Sequence, residues 1–281
     1  MLIDTHAHVN FNAFKDDSEA VLKDCLENDT WVINASSEYR TSKRAVKLAE
    51  KFEQGVYAVI GLHPVHTYSQ HVDEEETSFQ SQEEKFDYEK YKELATSPKV
   101  VGIGETGLDY YRLPEGEEEK VKVLQRETFL EQIKLASDID KVLMVHCRDA
   151  YDDIFEILNN RTDRPKKIVI HSFIGSWEVV KKFLDLGCYM SLNGIITYKP
   201  RKEKKPGQSD PNLLEAVKNT PLEKIILETD CPYLSPEPVR GTRNYPMNVK
   251  YVAQKLAEIQ GIDVKEVEEQ TTKNAREVFK I

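Results

Sequence analysis

The feature that most constrains this chain is a repeated alternation. Short apolar, β-branched segments are separated by longer stretches with a helical apolar period. Eight strand candidates follow: 2–9 (LIDTHAHV), 31–36 (WVINAS), 56–63 (VYAVIGLH), 100–105 (VVGIGE), 142–147 (VLMVHC), 168–173 (IVIHSF), 188–193 (CYMSLN) and 225–230 (IILETD). Their apolar runs are continuous, as expected of parallel strands covered by helices. Helical patterns fill the gaps, for example 17–28, with Val21, Leu22, Cys25 and Leu26 on one stripe, and 120–137, with Val121, Leu124, Phe129, Ile133 and Leu135. Others lie at 39–54, 150–159, 177–186 and 212–218. Pro246 opens a further helix that Gly261 ends, and Asp263 caps a C-terminal helix. Eight βα units with right-handed crossovers predict a single (β/α)8 TIM barrel of the α/β class over residues 1–281. An open doubly wound sheet is the alternative, weakened by the lack of GxGxxG after the first strand.

Two segments break the rhythm. Residues 68–91 form a polar, acidic insertion, read as a solvated excursion that alters the mouth or an oligomer contact. Residues 198–211 (YKPRKEKKPGQSDP) form a basic loop; as a βα loop it would lie on the face where barrels build active sites.

Composition sets outer limits. With 40% hydrophobic and 31% charged residues the chain reads as globular, not disordered or fibrous. No apolar run approaches the roughly 20 residues that span a bilayer. The first residues lack the marks of a signal peptide, so the expected address is the cytoplasm, or the nucleus in a eukaryote. Cys25, Cys147, Cys188 and Cys231 are widely spaced and read as reduced packing thiols. The net charge of −10 argues against passive coating of nucleic acid. It leaves room for a polyanionic substrate if metal ions supply the local positive charge.

The chemistry gathers at strand ends. His6 and His8 are two apart on one strand and therefore share a face. Alone they read equally as hydrogen-bonded core imidazoles. But Glu105, His146, His171 and Asp230 end four other predicted strands, and His63 a fifth. Carboxylates buried behind apolar runs need partners, and a bound cation neutralises them while using imidazole lone pairs. The count suggests two divalent ions, Mg²⁺, Mn²⁺, Zn²⁺ or Fe²⁺: His6, His8 and Asp230 for one, His146 and His171 for the other, with Glu105 bridging. Such a pair activates water and stabilises a leaving oxygen, with Asp230 as general base beside the bridging Glu105. No nucleophile elbow, P-loop or cofactor fingerprint offers another chemistry. His63 (in GLHP), Arg148 and Arg243 (in GTRN) are candidate substrate contacts. A loop-orienting bond is the alternative for His63, pairing with Asp149 or Glu105 for Arg148, and a surface salt bridge for Arg243. Asp109 reads as a loop cap and Tyr110 as a lining residue.

Taken in order, DTHAHVN, GLHP, GETGLDYYR, QRETFLEQIKLA, HCRDA, HSFIG, ETDCPYL, RNYPMNV and TTKNAREVF resemble the TatD-type deoxyribonucleases across nearly the whole chain. The resemblance implies a barrel of the amidohydrolase superfamily. It implies divalent-metal ligands at His6, His8, Glu105, His146, His171 and Asp230, the set reached from the strand ends. It also implies hydrolysis of DNA phosphodiesters, often from the 3′ end of a single strand. No Lys ends a strand as a carbamylated bridge, which disfavours the urease, dihydroorotase and phosphotriesterase branches. Two other readings stay open: a metal-dependent ester or amide hydrolase, such as one removing D-amino acids from tRNA, and a catalytically silent nucleic-acid binder. The expected partner is a DNA end or another phosphodiester, the expected state a monomer, with no membrane association.

Overall fold

A computed structural model describes residues 1–68, 71–74, 77–80, 83–200, 202–203, 205 and 209–281. The eight predicted strands are present and parallel: β1 (Leu2–Ala7), β2 (Thr30–Asn34), β3 (Val56–Ile60), β6 (Val100–Asp109), β7 (Val142–Arg148), β8 (Ile168–Ile170), β9 (Tyr189–Leu192) and β10 (Ile225–Leu227), hydrogen-bonded in that order. The seam between β1 and β10 is closed just beyond the last strand. There Asp230 donates its amide to the His6 carbonyl (2.8 Å) and His8 donates to Cys231 (2.8 Å). The fold is the expected (β/α)8 barrel.

Parity along the strands sorts the core into two layers. Ile3, Ile33, Val59, Val101, Met144, Val169, Tyr189 and Ile226 come one from each barrel strand and pack as one interior cluster. The C-terminal helix α9 (Val264–Phe279) adds Ala275, Val278 and Phe279 to that cluster. Their neighbours, such as Leu143, Val145, Ile170 and Leu227, pack outward with the helices. On β7 the alternation runs Met144 inward, Val145 outward, His146 inward, Cys147 outward. A side chain at the inward parity of the last strand position therefore arrives at the mouth.

The helices follow their start and stop signals. The helix α2 (Tyr39–Ala49) begins at a Glu38–Thr41 capping box. A short turn from Pro246 leads into α8 (Val249–Gln260), which ends on Gly261 at φ 70°, and Asp263 caps α9 through the Lys265 amide. The remaining helices are α1 (Ser18–Glu27), α3 (Tyr88–Leu94), α4 (Glu118–Asp138), α5 (Tyr151–Asn159), α6 (Trp177–Asp185) and α7 (Leu213–Asn219).

Both interruptions lie in part outside the described residues. In the first, an antiparallel hairpin of β4 (His71–Glu74) and β5 (Thr77–Gln80) stands where the sequence suggested an irregular excursion. Its end is anchored by Glu84, which accepts the Tyr39 amide (3.2 Å) and the Tyr91 hydroxyl (3.1 Å). The described part of the second is tied to the mouth face: Tyr198 donates to the Ser235 carbonyl (3.0 Å) and the Asp210 amide to that of Ile174 (2.8 Å). Among the described residues no helix is long and apolar enough to cross a membrane.

Candidate metal centre

Two β-bulges aim the first ligands. The β1–β2 register slips between Asp4 and Ala7, and the β6–β7 register between Ile103 and Thr106. The extra residues fall beside His6 and Glu105, and bulges re-aim side chains in this way. Close approach of β6 to β7 needs glycine. A Cβ on Gly104 would lie 2.5 Å from the Met144 carbonyl oxygen, and one on Gly107 2.0 Å from that of His146. Both glycines have positive φ. Asp230 also adopts a left-handed φ, 59°, a strained conformation that turns it over the mouth.

The six residues expected as ligands converge. Glu105, 5% exposed, stands at the centre. Its Oε2 lies 3.4 Å from His6 Nε2 and 4.0 Å from His8 Nε2. Its Oε1 lies 2.7 Å from His146 Nδ1 and 3.4 Å from His171 Nε2. Asp230 Oδ1 lies 3.1 Å from His8 Nε2 and 3.6 Å from His6 Nε2, and those two nitrogens are 3.1 Å apart.

The partners on the far side of each ring fix its tautomer. His8 Nδ1 faces the Ala35 carbonyl (3.1 Å), His171 Nδ1 faces the Glu228 carboxylate (3.0 Å), and His6 Nδ1 faces the Met144 thioether (3.0 Å). All three partners accept only, so each Nδ1 carries the hydrogen. In its neutral form each ring would then turn a bare Nε2 lone pair toward carboxylate oxygens. Lone pairs crowded against lone pairs repel unless a cation lies between them, so this donor set fits divalent metal. In the absence of a cation, a second proton on His171 relieves that repulsion.

His63 behaves differently. Its Nδ1 accepts the Val65 amide (3.2 Å), so Nε2 carries the proton and points at Glu105 Oε1, 3.3 Å away. Although His63, Glu105 and His146 are close enough together to hold an ion, His63 presents a donor there, not a lone pair. Its sequence alternative, a loop-orienting bond, is also present in the contact to Val65.

The electrostatics follow burial against charge. Burial pushes Glu105 up, but His63, His171 and His6 outweigh it and hold the carboxyl well below the usual range. Asp230 is likewise raised by burial and lowered further by its bond to His8. Burial pulls His146 and His171 down, yet their carboxylate partners carry them to about 9 and about 10. Burial, with His171 stacked at 3.6 Å, keeps His6 below its ordinary value. Without an ion, protons on His146 and His171 supply the positive charge.

Two positioning carboxylates were not anticipated in these roles. Fully buried Glu228 accepts from His171, from the Ser172 amide (2.9 Å), from Ser191 Oγ (2.5 Å) and from Asn193 Nδ2 (3.2 Å). Its signal was its place two residues before Asp230, at the inward parity of Ile226. Asp109 caps the loop through the Tyr111 amide (3.0 Å), as expected, and also holds His146 Nε2 at 3.2 Å. Tyr110 turns away, donating to Asp153 (2.7 Å).

The candidate substrate contacts separate. Arg148 lies with its guanidinium 3.9 Å from the Tyr111 ring centre and makes no ion pair among the described residues, so pairing with Asp149 or Glu105 is not what the structure shows. Arg243 is committed elsewhere: it pairs with Asp17, donates to the Ala13 carbonyl (2.7 Å) and the Tyr245 hydroxyl (3.0 Å), and covers the Phe14 ring. Every nitrogen of its guanidinium is engaged, which is the salt-bridge alternative. Cys147 and Cys231 are buried in packing clusters.

Comparison with known proteins places the chain in a family and supports its fold. The sequence pattern of the family described as TatD related DNase matches residues 3–280. The chain is 34% identical to the uncharacterized metal-dependent hydrolase YabD of Bacillus subtilis, covering 100% of both chains. It is 30% identical to the uncharacterized metal-dependent hydrolase TatD of Mycobacterium tuberculosis, over 99% of this chain and 97% of that one. The crystal structure of YJJV, a TatD homologue from Escherichia coli, superposes with a TM-score of 0.83 at 28% identity, covering 100% of this chain and 98% of the other.

Proposed function

The chain belongs to the TatD-related family of metal-dependent hydrolases, and from that premise we propose that it cleaves DNA phosphodiesters with two divalent ions, as a 3′-to-5′ exonuclease on single strands. The observation that carries this reading is the division of Glu105, whose Oε2 faces His6 and His8 while its Oε1 faces His146 and His171. One carboxylate thus belongs to two nitrogen sets, and Asp230 completes the first. Mg²⁺, Mn²⁺ and Zn²⁺ all suit such nitrogen and oxygen donors. When bound, such ions activate water and stabilise the charge that develops on phosphate and leaving oxygens.

The chain's own residues do the rest. Asp230 uses Oδ1 toward His6 and His8, which leaves Oδ2 to take a proton from the attacking water. Glu105 holds the two nitrogen sets in fixed relation. His63, with a proton at Nε2, donates into the same cluster and orients Glu105 or a substrate oxygen. Glu228 and Asp109 keep the His171 and His146 rings turned inward.

The test is incubation of metal-loaded protein with end-labelled single-stranded DNA and, separately, with aminoacyl esters. Release of mononucleotides from the 3′ end is expected, and Asp230→Asn should slow it by on the order of a thousandfold while DNA binding persists. DNA left intact across Mg²⁺, Mn²⁺ and Zn²⁺, with esters cleaved, would overturn the assignment.

A further inference from the structure

The half-buried Arg148 has a place that the metal centre does not explain. It is the last residue of β7 and shares the inward parity of His146, with Cys147 between them packed outward. Its guanidinium carbon lies 3.9 Å from the centre of the Tyr111 ring. Tyr111 is itself fixed to the centre, because Asp109 accepts its amide on one oxygen and holds His146 on the other. One carboxylate thus sets the distance between the arginine platform and a ligand ring.

Three other arginines are paired with carboxylates, Arg243 with Asp17, Arg161 with Asp163 and Arg40 with Glu38, and Arg240 and Arg276 also lie on aromatic rings, over Tyr198 and Trp31. What sets Arg148 apart is its place at the mouth, beside the ligand His146 on the same strand. Arg148 has no carboxylate within ion-pair distance among the described residues. A guanidinium laid on an aromatic face keeps its edge nitrogens open, and that fork matches the oxygens of a phosphate. Asp109 feels the charge of Arg148 without pairing with it, so the fork is open to an anion that arrives with the substrate.

We propose that Arg148, seated on Tyr111, anchors a phosphate adjacent to the one being cleaved, so that the centre selects an oligonucleotide over a lone diester or an uncharged ester. This rests on the phosphodiesterase reading and adds a specificity-determining contact to it.

The experiment compares Mn²⁺-loaded wild type, Arg148→Gln, Arg148→Lys, Tyr111→Leu and Tyr111→Phe on two substrates. One is a short single-stranded DNA; the other is bis(4-nitrophenyl) phosphate, a diester with no neighbouring phosphate. Arg148→Gln should raise KM for DNA about tenfold or more, the worth of a charge-assisted contact, with kcat held within about threefold. Turnover of the lone diester should be unaffected. Arg148→Lys should restore part of the loss, Tyr111→Leu should follow Arg148→Gln, and Tyr111→Phe, which keeps the ring face, should not. An equal fall in kcat on both substrates would mean that Arg148 acts through Asp109 on His146, and would overturn the anchor. So would unchanged kinetics on both. If the wild type cleaves neither substrate, the phosphodiesterase reading itself fails. The anchor is then judged by fluorescence anisotropy with the same DNA, where no binding by wild type, or equal affinity of wild type and Arg148→Gln, rejects it.

Discussion

His63 Nε2 lies 3.3 Å from Glu105 Oε1 and carries the proton in that contact, because the Val65 amide already occupies Nδ1. Five imidazoles surround one carboxylate, and in this one the nitrogen turned to Glu105 keeps its hydrogen even when the ring is neutral. His63→Gln should therefore leave metal content, read by elemental analysis of fully loaded protein, close to that of wild type. His146→Gln should lower it. Equal losses in both would place His63 among the ligands instead.

Glu228 makes a different test of the same logic. It accepts four hydrogen bonds and fixes His171 with Nε2 turned inward. Glu228→Gln keeps the shape but brings a donor to face the Nδ1 hydrogen. Loss of such an outer partner typically costs about 10–100-fold in metal affinity. Competition with a chromophoric chelator measures it, and an unchanged affinity would show that His171 needs no orienting carboxylate.

Proton linkage follows from His146 and His171. Burial lowers both, and their carboxylates raise them to about 9 and about 10. These folded-state values exceed the unfolded value of about 6.5. In the metal-free protein the resulting stability is therefore fully present below that pH, and it is lost as pH rises through about 9 to 10. An ion must displace those protons. Metal binding near neutral pH should release protons, and apparent affinity should climb with pH. Calorimetry in buffers of different ionisation enthalpy reads the release directly; a heat independent of buffer would contradict it.

The closing seam has its own prediction. Asp4 accepts the Thr229 amide (2.8 Å), the Thr229 hydroxyl region (2.5 Å between oxygens) and the His6 amide (3.2 Å). It thus joins the first strand to the segment that carries Asp230. Asp4→Ala leaves these buried groups unpaired and should cost about 1–3 kcal/mol or more. Denaturant unfolding measures the loss. Stability within error of wild type would mean that the backbone bonds of His8 and Asp230 close the barrel unaided.

Much of this was legible in the order of residues. All eight strands were, because a buried parallel strand needs a continuous apolar run whatever its neighbours. So was the convergence of His6, His8, Glu105, His146, His171 and Asp230, because a barrel brings the ends of its strands to one rim. The hairpin His71–Glu74 with Thr77–Gln80 was not, since neither segment has the apolar run by which the barrel strands were found. The place of Arg243 after the last strand points it to the mouth, but Asp17 and Ala13, more than two hundred residues away in sequence, and its near neighbour Tyr245 claim its guanidinium.

The sequence by itself determined the periodicities, and with them the barrel, the inward parity of His146 and Glu228, and the kinds of atom that meet at the rim. Only the tertiary structure decided which nitrogen of each ring faces the centre. That choice depends on the Ala35 carbonyl, the Met144 sulfur, the Val65 amide and the Glu228 carboxylate, partners brought to each ring by packing and loop geometry. A histidine in a sequence has two equivalent options, and the hydrogen bond made on its far side selects between a ligand and a donor.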